Sequence, residues 1–294
     1  MDLGFVVWLL AVSFGASAFG GMLGMASGIF IVPVLITFGS VDIHAAITAS
    51  LVSVIACSCG SAAPFLESGL TNVRLAIVLE TATTLGAVTG VILAGLIPES
   101  ILFLLFAAIL VISAQQMLAR RGDRGSEAAI VDARATAGGP RQWPARPRLD
   151  SSYPDRIRGV EVPYRVERVR WGMLLMYGAG LISALLGIGS GVLKIPAMDT
   201  ALRLPIKVSS ATSNFMIGVT AAASAGAYFV RGEIVPMIAG PVALGSVVGA
   251  LVGARLLIAM PGDRIRFVFV AVLVALALQM CLAAFGIHAL GGSV

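Results

Sequence analysis

The sequence predicts an all-α polytopic membrane protein. It has about eight transmembrane helices in two homologous four-helix halves, with broken or re-entrant helices at two Gly-rich motifs. Three observations carry this. Of 294 residues, 58% are hydrophobic and 12% charged, where a soluble chain carries about 25% charge. Apolar runs of membrane-spanning length recur along the chain. The spacing of glycines, prolines and small polar residues repeats once at a fixed offset.

The elements follow in order. Leu3 to Val41 is uncharged and too long for one simple span, and it holds Gly20, Gly21, Gly24, Gly28 and Pro33. It reads as a helix to about Leu23, a glycine break, and a short half-helix or re-entrant piece. Non-helical backbone at membrane depth survives only where protein or a cavity shields it. Later spans are expected at about 45–66, 73–96 and 100–119. The third contains Gly86-x-x-x-Gly90, a close-packing pattern. Trp171 opens a fifth span, to Leu186. The break Gly187-Ile188-Gly189-Ser190-Gly191 follows, then a short piece to Pro196. Spans at about 208–230, 234–260 and 267–285 complete the set; in the second of these Gly245, Gly249 and Gly253 line one helix face.

Between the halves, 120–170 is rich in Arg, Pro, Gly and acids. Twelve of the 20 Lys and Arg lie between Arg120 and Arg170, the mark of a cytoplasmic loop. The division is therefore 1–119 as first repeat, 120–170 as a hydrophilic, largely disordered linker, and 171–294 as second repeat. The formal charge of +5 does not point to nucleic acid, because the basic residues concentrate at membrane edges. The start of the chain lacks the basic n-region of a cleaved signal peptide. Cys57, Cys59 and Cys281 sit in apolar runs and read as packing residues. With two His in the chain, no metal cluster and no cofactor is expected.

The repeat is ungapped between 24 and 98. An offset of 163 pairs Gly28 with Gly191, Pro33 with Pro196, Ser50 with Ser213, Gly86 with Gly249 and Pro98 with Pro261. Duplicated broken helices point to a central binding site of a secondary transporter. Half-helix N-termini offer free N–H groups and a positive dipole end, which bind an anion without a metal. A purely structural role for the glycines is the alternative reading.

In its motifs the sequence resembles the sulfite exporter TauE/SafE family of membrane permeases. The resemblance rests on Gly24 to Pro33 with Thr48-Ala49-Ser50, and on Gly187 to Pro196 with Ala211-Thr212-Ser213. It covers nearly the whole chain outside the linker. It implies a multi-pass protein of the cytoplasmic membrane that moves a small anion such as sulfite, a sulfonate or an organic acid. Lys194 departs from the pattern, standing where an apolar residue is usual.

The candidate substrate-binding residues are Ser27, Gly28, Ser50, Ser190, Gly191, Lys194, Thr212, Ser213 and Asn214. Glu80 is the candidate for proton coupling, because an intramembrane carboxylate marks function by default. For Lys194 two readings stand: a positive group for the substrate, or a side chain that snorkels to the interface. Glu80 either carries a proton, pairs with a base such as Lys194, or sits near the interface by Arg74. His44 and His288 have no assigned role.

The partners expected are a small anion, the lipid bilayer and a second copy in a homodimer. No Walker A, H-E-x-x-H or G-x-S-x-G pattern is present, so ATP use and enzymatic activity are not expected. An anion channel and a structural protein without transport remain the alternatives. One expectation is internally strained. With four true spans per half, Arg203, Lys207, Arg264 and Arg266 fall on the face opposite the basic linker, against the positive-inside bias.

Overall fold

A computed structural model describes residues 3–23, 26–67, 69–119, 151–155, 160–164, 166, 168–259 and 262–284. Gly24 and Met25 of the first break, the stretch 120–150 and His288 lie outside the described residues. The elements are α1 (Leu3–Leu23), α2 (Gly28–Gly39), α3 (Ile43–Glu67), α4 (Val73–Ala94) and α5 (Glu99–Ala119). Then come β1 (Ser151–Asp155), β2 (Val160–Tyr164), α6 (Val169–Leu186), α7 (Gly191–Leu202), α8 (Ile206–Val230), α9 (Pro236–Ala259) and α10 (Gly262–Ala284). Six of these helices are long and apolar enough to cross a membrane, and 28–39 and 270–284 are shorter apolar pieces. Helix starts at 28, 43, 73 and 99 recur at 191, 206, 236 and 262, each 163 residues on.

Large apolar side chains such as Ile77, Leu85 and Ile92 on α4, and Leu244, Val248 and Leu251 on α9, are exposed. They follow helical spacing and form outward stripes. Such a belt on a soluble surface would be an aggregation site; facing lipid it needs no covering.

The breaks reverse the chain. Gly39, at the end of α2, lies against the Trp8 ring near the start of α1, and Gly172 of α6 meets Leu202 at the end of α7. Each short helix therefore returns toward the face where its predecessor began. A 12-residue helix is about 18 Å long, little more than half of the roughly 30 Å hydrocarbon core. The sequence alone leaves open whether the stretch before each second span is one broken helix or turns back as a re-entrant piece. The structure divides it into two helices of opposite sense.

Pro33 and Pro196 do not end these short helices, which run on to Gly39 and Leu202. Each proline sits one turn in and removes a single backbone donor, which an otherwise apolar helix tolerates. Part of the linker carries regular structure: Ser151–Asp155 and Val160–Tyr164 pair as antiparallel strands, with Tyr153 opposite Val162. Val160, Val162 and Tyr164 take alternate positions on one side of their strand, with Glu161 and Pro163 between them. The Tyr164 hydroxyl accepts from Asn72 Nδ2 at 2.9 Å, tying the hairpin to the start of α4.

Two glycine seams join α9 to α1 and α4 to α6. A Cβ on Gly249 or Gly253 of α9 would strike the carbonyls of Phe14 and Ala18 on α1. A Cβ on Gly86 or Gly90 of α4 would strike those of Tyr177 and Leu181 on α6. In both seams the residue numbers rise together, so α1 runs parallel to α9 and α4 parallel to α6. By contrast α3 and α8 are antiparallel: Thr48 contacts the Glu233 carbonyl, and Ser58 donates to the Asn214 carbonyl.

Loops gather accordingly. Asp42, His44, Gly95 and Glu233 share one cavity of about 340 Å³ at one end of the bundle. Asn72, Tyr164 and Thr212 meet at the other.

Candidate functional site at the paired helix breaks

The site begins with backbone. Gly187 and Gly189 have φ of 66° and 70°, left-handed values that glycine alone adopts freely. Gly187 donates its N–H to the Ser183 carbonyl at 2.9 Å, closing α6. Its own carbonyl turns to the first half, where Ser50 Oγ donates to it at 2.6 Å. A Cβ on Gly28 would fall on that same carbonyl and close to Ser50 Oγ. A Cβ on Gly189 would meet Ala26. The two breaks therefore touch, and the missing side chains are what let them.

Hydroxyls line the meeting point. Ser27 Oγ lies 2.8 Å from Ser53 Oγ, which lies 2.5 Å from Ser246 Oγ. Ser53 and Ser246 stand near the middle of α3 and α9, so the first break sits at mid-depth. On the second side, Ser190, Ser213 and Asn214 are buried, and Ser190 Oγ, Ser213 Oγ and Asn214 Nδ2 have no hydrogen-bond partner. Among the described residues Ser17, Thr71, Ser183 and Ser209 share this state; Ser190 and Ser213 are set apart by their place at the break. Ser213 Oγ is 3.8 Å from where a Gly191 Cβ would stand, so it faces the first turn of α7, whose leading N–H groups have no intrahelical acceptor. Thr212 is engaged otherwise: its Oγ1 accepts from the Asn72 N–H at 3.2 Å.

Lys194 and Glu80, 114 residues apart, come together. Lys194 is 0% exposed and does not reach the interface. Its Nζ donates to Glu80 Oε2 at 3.3 Å and to Thr220 Oγ1 at 2.5 Å. Thr220 Oγ1 lies 2.5 Å from Glu80 Oε1 and 3.0 Å from the Met216 carbonyl, and its one proton goes to either. The Lys194 side chain leans back toward the start of α7, as helical side chains do, carrying its charge toward the break. Thr220 escaped the sequence reading. Its signal was position: it lies seven residues after Ser213, two turns along the same face of α8.

His44 lies by the Asp42 cap, where its N–H donates to Asp42 Oδ2 at 2.9 Å. It takes no part in the central cluster. The cysteines are free, with Cys57 buried and Cys59 exposed. No group of three His, Cys, Asp or Glu suited to a metal occurs among the described residues.

The long apolar helices and their outward apolar belt mark a multi-pass membrane protein. The family model for Sulfite exporter TauE/SafE matches residues 9–280. The chain belongs to that family, whose members transport and are not catalysts. No curated protein and no solved structure matches the chain.

Proposed function

We propose that this protein is a secondary transporter that moves a small anion, sulfite, a sulfonate or a related organic acid, across the cytoplasmic membrane, coupled to a proton or another ion. The observation that carries the proposal is the pair of unpartnered buried hydroxyls at the start of α7, Ser190 and Ser213, with Asn214 Nδ2, next to Ser213 in the chain, likewise unpartnered. An anion consists of acceptors and would satisfy them, together with the first-turn N–H groups. Ser27, Gly28, Ser50, Gly191 and Thr212 complete the proposed site: the glycines by allowing the approach, Ser50 and Thr212 by holding the neighbouring backbone. Lys194 supplies positive charge and Glu80 carries the coupled proton. The two halves, 1–119 and 171–294, are read as inverted repeats that rock about this centre.

Charge supports an orientation. Arg74, Arg168, Arg170, Arg203, Lys207, Arg264 and Arg266 stand at the helix ends on the Asn72 side. The opposite end has Arg231, paired with Glu233 at 2.6 Å. Because α2 and α7 reverse the chain, the basic residues that strained the four-span count fall on the linker side. The Asn72 face and the linker are then cytoplasmic. Single cysteines introduced into a cysteine-free background test this. Position 96 should react with an impermeant maleimide added to intact cells, and position 170, exposed at the other end, only after permeabilisation. The reverse pattern would overturn the orientation.

Function is tested by sulfite flux in proteoliposomes. Replacing both Ser190 and Ser213 with Ala removes two donors, each worth about 1.5–3 kcal/mol against a charged acceptor. The half-saturating concentration should rise at least about tenfold, with unchanged yield of folded protein. An unaltered value would remove these hydroxyls from the site.

A further inference from the structure

The interlocked fold contains its own control for the buried ion pair. Subtracting 163 from Lys194 and Thr220 gives Ile31 and Cys57, and adding 163 to Glu80 gives Ala243. The same packing position is thus built once from Lys, Glu and Thr and once from Ile, Ala and Cys. Ile31 is fully buried and Cys57 nearly so. The fold does not require charges there. Buried ion pairs contribute little net stability compared with apolar packing, and ionisable groups at membrane depth mark transport paths.

We infer that Glu80 is an internal stand-in for the transported anion, and that a substrate monoanion replaces it as the partner of Lys194 while Glu80 takes up one proton. This rests on the transporter reading above. Before binding, the site holds one ammonium and one carboxylate and is neutral. After binding it holds the ammonium, the substrate anion and a carboxylic acid formed by an O–H bond to the incoming proton, and is neutral again. No other bond changes. Both states can therefore turn within the membrane without carrying net charge through it.

Thr220 touches both partners and can donate to Glu80 or accept from Lys194 in either state. Among the described residues, Lys194 of α7 is the charged group against Glu80. From α8 Thr220 faces it. The titratable group that α6 presents to α4 is Tyr177, whose hydroxyl is held 3.0 Å from Thr89 Oγ1. Glu80 is the less completely buried member of the pair, its side chain 11% exposed against 0% for Lys194.

The inference gives a stoichiometry. Proteoliposomes containing the full chain and an internal pH dye are offered methanesulfonate or ethanesulfonate, which stay monoanions throughout. About one proton should enter with each anion, and an imposed potassium-diffusion potential should leave the rate unchanged. Glu80→Gln should abolish the coupled proton movement while exchange of internal for external anion continues. Flux driven by the potential, flux without proton entry, or unchanged proton entry in Glu80→Gln each overturns the inference and leaves the transporter reading standing. Absence of flux for both anions overturns the transporter reading and the inference with it. The potential and proton measurements on the unmodified protein decide the matter even where Glu80→Gln yields little folded material.

Discussion

Lys194→Ile alone is expected to sharply reduce the yield of folded protein, and adding Glu80→Ala is expected to restore it. The single change leaves Glu80 buried beside Thr220 with no cation, a loss of about 3–5 kcal/mol, comparable to much of a domain's stability. The double change removes both charges. With Thr220→Cys it copies the residues found 163 positions away, Ile31, Ala243 and Cys57. Detergent-solubilised yield and thermal midpoint read the stability, and substrate-dependent flux reads function. The charge-free variant should fold like the parent and transport nothing. Strong transport by it would show that the pair is an accident of packing.

The second large effect is expected at the seams. Gly249→Val on α9 places a branched side chain where even a Cβ overlaps the Phe14 carbonyl. Backbone cannot retreat as a flexible side chain can, so α1 and α9 must part, at an estimated cost of about 3 kcal/mol or more. Close approach through small residues is a main source of helix association in lipid. Gly86→Val should act alike against Tyr177 on α4 and α6. Gly240 lies on the same helix as Gly249 but has nothing near its Cβ position. Gly240→Ala should therefore be neutral or stabilise by up to about 1 kcal/mol. Thermal midpoints of the purified variants separate the two classes, and equal loss at 240 and 249 would deny the seam its role.

Much of this architecture was legible in the sequence because hydropathy and glycine spacing record burial and close approach. The expected spans at 45–66, 73–96 and 100–119 differ by a few residues from α3, α4 and α5. The direction of α2 and α7 was not legible, since hydropathy has length but no sign. Only the contacts of Gly39 with Trp8 and of Gly172 with Leu202 fix it. The same reversal removes the conflict over Arg203 and Arg264, whose placement depended on counting crossings.

At the site, Lys194 and Glu80 stood out separately, as charges in apolar runs do. Their pairing across 114 residues depends on the parallel course of α4 and α8, which places Glu80 at Thr220 and Val91 at Arg231. Thr220 was silent because a threonine inside a membrane helix commonly bonds back to its own backbone, as it does here to Met216. The hairpin at 151–164 was hidden by its setting. Two five-residue strands with Pro154 and Pro163 give little periodicity in a polar stretch.

The central claim is that the paired breaks hold a small anion in transit. Counterflow of labelled sulfite into sulfite-loaded proteoliposomes tests it most directly, because exchange needs a saturable site and no driving force. Exchange should be saturable in the parent, weakened in the Ser190→Ala/Ser213→Ala variant and absent from the charge-free Lys194→Ile/Glu80→Ala variant. Exchange that does not saturate, or that persists unchanged when these four residues are replaced, would contradict it.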